Sequence, residues 1–177
     1  MRKANKRNLL TYLLLALIFV FYFFFRQHDI PNKIPEDACG PYVVERVVDG
    51  DTFIVEIDKH RVRVRALCID SPESVAPSDT GKTNTKEGEQ ASNRAKELLE
   101  GNSVYLEYDK EIKDQFDRTL AYVYLEDGRC FEEIMISEGL VKVTKFEPNV
   151  KYVEEYYKLQ DKARKEAIGF WGTGFFK

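Results

Sequence analysis

The chain has 177 residues, 44% of them hydrophobic and 32% charged, which suits one folded domain with a short appendage and excludes a globally disordered chain. Its net charge is −3; the first 39 residues hold 6 of the 27 basic and 3 of the 30 acidic side chains, leaving 21 against 27 over residues 40–177. That balance argues against a broadly basic nucleic-acid-binding surface, so any phosphate recognition has to be local.

The N-terminus opens with Arg2, Lys3, Lys6 and Arg7, followed by the uncharged run Leu9–Phe25. Seventeen residues at ~1.5 Å each span about 25 Å as a helix, slightly short of a ~30 Å hydrocarbon core. The basic flank predicts a cytoplasmic N-terminus, with everything after Arg26 outside. Cleavage of the run as a signal peptide needs small residues near its end, and here the end is Phe-Tyr-Phe-Phe-Phe. Lipid attachment at Cys39 is a weaker reading still, and a buried core helix has no need of basic flanks. The expected organisation is a basic cytoplasmic stretch (1–8), a transmembrane signal anchor (9–25), a linker (26–41), a catalytic domain (42–172) and a tail (173–177). A form secreted after cleavage is the alternative.

Within the domain, Tyr42–Val48, Thr52–Ile57 and Arg61–Ile69 read as strands. Asp49-Gly50-Asp51 and Asp58-Lys59-His60 interrupt them as turns. Alternation over the third strand puts Val62, Val64, Ala66 and Cys68 on one face and Arg63 and Arg65 on the other. Ser74–Gly88 is polar and reads as a loop. Glu89–Leu99 reads as a helix ended by Gly101. Two strands, Val104–Tyr108 and Leu120–Leu125, and two helices, Phe131–Ser137 and Lys151–Ala167, complete the domain. The predicted class is α+β, mainly β: a five-stranded OB-type barrel with three helices, preceded by one transmembrane helix.

Candidate chemistry gathers at Asp49-Gly50-Asp51-Thr52, Arg65, Asp70-Ser71-Pro72-Glu73 and Arg118. The carboxylates follow apolar stretches, Val47-Val48 and Leu67-Cys68-Ile69, which would hold them in place. Hard cations take oxygen ligands, calcium 6–8 of them at ~2.3–2.6 Å. Asp51 and Asp70 would serve if their two strands pair and bring them together, with the Ser71 carbonyl as a third ligand. Taken singly, each segment reads better as a turn than as a ligand, and each arginine reads equally as a surface residue.

In this order the segments, with Asp114-Gln115-Phe116-Asp117-Arg118, Leu120-Ala121-Tyr122, Glu138-Gly139-Leu140-Val141-Lys142-Val143, Pro148-Asn149 and Trp171, resemble the staphylococcal nuclease family over about residues 42–172. The resemblance implies a calcium-dependent phosphodiesterase acting on single-stranded or frayed DNA and RNA, leaving 3′-phosphate ends. It implies calcium on Asp51, Asp70 and the Ser71 carbonyl, with Asp49 supporting that site. It makes Arg65 and Arg118 the phosphate clamp, and Glu73 the group that orients or deprotonates the attacking water. Arginine suits this work because its planar fork meets two phosphate oxygens.

The chain departs from the family at Gln115-Phe116-Asp117, where a Lys-Tyr-Gly run is typical, and at Ser71, where Thr is common. It also departs in Thr144–Glu147, short and poor in Tyr, where Phe146 remains a possible substrate contact. His28 and His60 are the only histidines and lie outside these motifs, which excludes a histidine-based centre. Cys68 and Cys130 read as core residues, and Tyr152, Tyr156 and Tyr157 as helix packing. A non-catalytic module of the same fold, binding nucleic acid or a protein at the cell surface, is the alternative; retention of all five charged site residues favours the enzyme.

Overall fold

The computed structural model describes residues 33–73 and 85–177. Five strands close a barrel in the order β1-β2-β3-β6-β5, where β1 is Cys39–Asp49, β2 Thr52–Ile57, β3 His60–Ala66, β5 Ser103–Glu107 and β6 Thr119–Leu125. The first three form the expected antiparallel meander, β5 closes onto β1, and β3 runs parallel to β6. Three helices surround it: α1 (Lys86–Leu99), α2 (Phe131–Ser137) and α3 (Val153–Lys165). Two short strands, β4 (Ile69–Asp70) and β7 (Lys142–Val143), pair outside the barrel.

Inward residues of successive strands fill the barrel: Val44, Val47, Phe53, Val55, Val64, Ala66, Val104, Leu106, Ala121 and Val123 are all buried. Full burial of side chains of this kind contributes about 1.5–3 kcal/mol each, so the core dominates the stability of the frame. Cys68 and Cys130 lie in it, both buried and free. Tyr156 packs edge-on to Tyr122, and Phe170 is buried near the chain end.

Several boundaries differ from expectation by two or three residues, others by one. Strand β1 begins at Cys39, because the stretch read as linker pairs with β5 through Cys39↔Leu106. Gly40 permits it: at φ +145° it lies close to Val104, where an added Cβ would meet the carbonyl oxygen at 2.8 Å. Helix α1 starts at Lys86 rather than Glu89, since Thr85 Oγ1 accepts the Gly88 N–H at 2.9 Å as its N-cap, so residues 85–88 are not loop. Strand β3 stops at Ala66 rather than running to Ile69, because Cys68 takes a left-handed conformation at φ +59° and turns the chain into β4. Helix α3 spans Val153–Lys165, inside the expected 151–167. The apolar run Leu9–Phe25 lies outside the described residues; among those described, no helix is long and apolar enough to cross a membrane.

Candidate active site

The turn between β1 and β2 carries the first carboxylates. Asp49 Oδ1 accepts the Gly50 N–H at 2.8 Å and shapes this turn. Gly50 is buried against the segment after β4: a Cβ there would lie 2.2 Å from Ser71 Oγ and 2.9 Å from Ser71 Cβ. Only glycine lets the turn come this close. The approach lets Asp51 Oδ2 accept the Ser71 N–H at 2.8 Å, while Oδ1 accepts Thr52 Oγ1 at 2.9 Å.

Arg65, near the end of β3, lies between the two carboxylates. Its Nη1 is 2.7 Å from Asp51 Oδ2, and its Nη2 donates to Asp70 Oδ1 at 3.2 Å. Asp51 and Arg65 are 7% and 6% exposed, whereas the Asp70 side chain is 63% exposed. The cluster is therefore dry at one end and open at the other. Convergence of Asp51 and Asp70 comes from the docked turn and not from pairing of their strands. Arg65 Nη1 is buried with no hydrogen-bond acceptor in line with its N–H groups among the described residues; charge alone ties it to Asp51. The guanidinium is thus held in place by two carboxylates, with Asp70 leaving the cluster open to solvent on one side.

Arg118 immediately precedes β6. Arg65 is in register with Leu120, so Arg118, two residues earlier, projects from the same outer face of the parallel pair. Asp114 holds it: Oδ2 accepts Arg118 Nε at 2.6 Å and Oδ1 accepts the backbone N–H of Phe116 and Arg118, both at 2.9 Å. Burial works to raise the Asp114 pKa, but the hydrogen bonds from Arg118 and Phe116 and the arginine's charge outweigh it and hold the carboxyl below its ordinary range. Asp117 stands at φ +60°, where glycine is most at ease. Glu73 is half-buried, two residues past Ser71; its carbonyl accepts Thr85 N–H at 3.1 Å, which ties the end of this segment to the start of α1.

Phe146 lies over Arg65, its ring centroid 5.7 Å from the guanidinium carbon, and Phe116 stands in the same relation to Arg118 at 5.5 Å. The structure thus gathers Asp51, Arg65, Asp70, Ser71 and Phe146 directly, and holds Arg118 on its own tether on the same face. Asn149, which in the sequence is only part of the Pro148-Asn149 match with no role of its own, proves to be a joint. It is 1% exposed, its amide donates to Glu111 O and accepts Glu111 N–H, both at 2.8 Å, and its carbonyl accepts the Cys68 thiol at 3.3 Å. It thereby joins the turn before Asp70, the segment leading to Arg118 and the loop bearing Phe146. A lone Asn after proline looks like a turn residue, and no local pattern announces these partners.

The donor set fits a hard cation. Two carboxylates from separate elements already converge on one positive group, and the ligands offered are all oxygen. Among the described residues no third acidic, His or Cys side chain joins them, which suits a weak site.

The fold is a closed five-stranded OB-type barrel that carries a buried guanidinium beside two converging carboxylates. Residues 63–173 match the family model described as staphylococcal nuclease homologue. The thermonuclease of Staphylococcus intermedius is 39% identical over 162 residues, covering 90% of this chain and 94% of that protein. The thermonuclease of Staphylococcus hyicus is 39% identical over 132 residues, covering 75% and 76%. The SPbeta prophage-derived endonuclease YokF of Bacillus subtilis (strain 168) is 38% identical over 130 residues, covering 72% of this chain but 43% of that longer protein. The chain belongs to the staphylococcal nuclease homologue family, and with it to the nuclease hydrolases.

Proposed function

We propose that the chain is a calcium-dependent endonuclease that hydrolyses DNA and RNA phosphodiesters and leaves 3′-phosphate ends. The observation that carries this reading is the buried Arg65, held between Asp51 and Asp70 at the open end of the carboxylate cluster. A phosphodiester is itself an anion and resists attack by water or hydroxide. Arg65 and Arg118 bind its non-bridging oxygens and stabilise the added charge of the transition state. Glu73 orients the attacking water or takes its proton as the water oxygen bonds to phosphorus; the P–O5′ bond breaks, and the 5′ oxygen leaves as a hydroxyl with a proton from solvent water. Asp51, Asp70 and the Ser71 carbonyl would hold Ca2+, with Asp49 shaping the turn behind them. When bound, the cation supplies further positive charge at the phosphate. Phe146 contacts a neighbouring base. The substrate is single-stranded or frayed nucleic acid, and the barrel works outside the cytoplasm, held by the apolar segment at 9–25.

The test uses the purified full chain on single-stranded DNA, with calcium and with excess chelator. Cleavage in calcium, loss in chelator, and products that a polymerase extends only after phosphatase treatment are expected. Undiminished cleavage in chelator would remove the metal from the reading. Binding without cleavage would instead make the chain a non-catalytic module.

A further inference from the structure

The short pair β4–β7 sets a lysine directly across from a carboxylate of the candidate site. Its two rungs are Ile69↔Val143 and Asp70↔Lys142. Ile69 and Val143 are buried, so the other rung, Asp70 and Lys142, faces outward. The register is pinned: Thr144 N–H donates to Cys68 O at 3.0 Å, and Val143 N–H to Gln160 Oε1 at 2.7 Å. Opposed residues of an antiparallel pair have Cβ atoms about 4.5–5.5 Å apart, well within reach for a lysine and a carboxylate. Elsewhere Lys113, Lys145 and Lys151 each pair with a nearby acid.

The Lys142 ammonium turns to aromatic rings instead. Its Nζ lies 5.8 Å from the ring centre of Trp171 and 5.1 Å from that of Phe176. Those rings form one cluster with the buried Phe170. The Phe176 centroid is 5.0 Å from that of Trp171 and 5.5 Å from that of Phe170, and Phe176 N–H donates to Phe170 O at 3.2 Å. A ring face and an exposed ion pair hold an ammonium with comparable strength, so two faces together outweigh one carboxylate. Asp70 meanwhile accepts Arg65 Nη2 at Oδ1, and its side chain is 63% exposed. An ammonium settled on this carboxylate would compete for the oxygens that a hard cation needs.

We propose that Trp171 and Phe176 are positioning residues for the cation site: they hold the Lys142 ammonium away from Asp70, so that this carboxylate stays open to calcium. The proposal rests on the calcium reading above and adds a determinant of cation affinity that lies outside the ligand set. Loss of a ring face frees the lysine to close on the carboxylate across its rung. Calcium then has to displace it, and the site weakens although every ligand is still present. This arrangement has a signature that packing alone does not share, because removing the lysine cures the loss of the ring.

The experiment reads calcium affinity, without substrate, from the rise in melting temperature of the full chain across a calcium titration. Phe176→Leu should raise the apparent Kd for calcium about two- to fivefold, the range over which an exposed ion pair can act. Phe176→Met, a second side chain without a ring, should match it, and Phe176→Tyr, which keeps the ring, should bind as the parent does. Lys142→Gln alone should change little. Added to Phe176→Leu, it should return Kd to the parent value. Folded Leu and Met variants with the parent's Kd would overturn the proposal and leave the calcium reading standing. A double variant as weak as Phe176→Leu would also overturn it, since the ring would then act through packing and not through the lysine. A folded parent whose melting temperature does not respond to calcium would overturn the calcium reading, and this proposal with it.

Discussion

Arg65 and Arg63 differ by two positions on one strand, yet only Arg65 is buried against Asp51. Loss of a preorganised charge-stabilising donor typically costs ~10²–10³-fold in kcat. Steady-state assays should therefore show losses of that order for Arg65→Ala, Arg118→Ala and Glu73→Gln, and little change for Arg63→Ala. Arg65→Lys should stay poor, because a point charge does not reproduce the fork. The burial of Arg65 adds a second expectation. Removing one member of a buried ion pair leaves the other uncompensated and costs about 3–5 kcal/mol. Arg65→Ala should lower Tm in chelator, and calcium should restore much of it by taking the place of the guanidinium between the carboxylates. Thermal melts with and without calcium that coincide for this variant would contradict that arrangement. Glu73→Gln, which keeps the side chain's size and an acceptor oxygen, should melt near the parent in both conditions. Alternation in the sequence placed Arg63 and Arg65 on one face correctly. It could not separate them, because what buries Arg65 arrives from Asp51 and Phe146, 14 and 81 residues away in the sequence.

The β1–β2 turn works as a unit with the segment after β4. Gly50→Ala puts a methyl group into Ser71, so the turn has to lift and the Asp51–Ser71 hydrogen bond has to break. Lower Tm and a large loss of activity are expected, and Ser71→Gly in the same chain should restore part of both by clearing the obstruction. Unchanged activity in Gly50→Ala would mean the close docking is unnecessary. A second element-level effect concerns α2. Beyond the end of β3, Glu132 from α2 accepts the buried Val123 N–H of β6, at 3.2 and 3.1 Å to its two oxygens. Burial pushes its pKa up to about 8, although its hydrogen bonds from α2 backbone, Cys130 and Val123 oppose the shift. Cys130 and Tyr156 pack beside it and are themselves held protonated. Because the folded value lies above the unfolded 4.5, this group favours folding fully below pH 4.5, and its contribution is lost as pH rises to about 8. Urea midpoints of the parent should fall over that window relative to Glu132→Gln, which keeps an acceptor for Val123 without a titrating proton. Parallel pH profiles would disprove it. Such elements were unevenly legible. Phe131–Ser137 stood out between its turn and Gly139, and the β1–β2–β3 meander between its turn residues. The start of β1 was hidden by Gly40-Pro41, which look like punctuation, and β4 by an alternation that runs unbroken through Cys68. Both are decided by partners distant in sequence, Leu106 and Val143.

For the molecule as a whole, the basic flank and the bulky aromatic end of the segment at 9–25 predict that it stays attached. Fractionated cells should hold the full-length species in membranes, with the barrel open to protease added outside intact cells. Recovery solely as a soluble form beginning near residue 27 would instead mean cleavage. The barrel itself was legible as a whole because its motifs occur in a fixed order over most of the chain, even where each was ambiguous alone. Asn149 gives that whole a further property. One amide fastens the approach to Arg118, and the adjoining carbonyl fastens the turn that leads to Asp70. Mutational effects should consequently fail to add between Asn149 and the segment around Glu111: a disturbance there ought to matter less once Asn149→Ala has released it, while Cys68→Ala, whose partner is the main-chain carbonyl, should add normally. In the history of such a sequence, a change at either coupled position then lowers the cost of changing the other, so the two are expected to drift together.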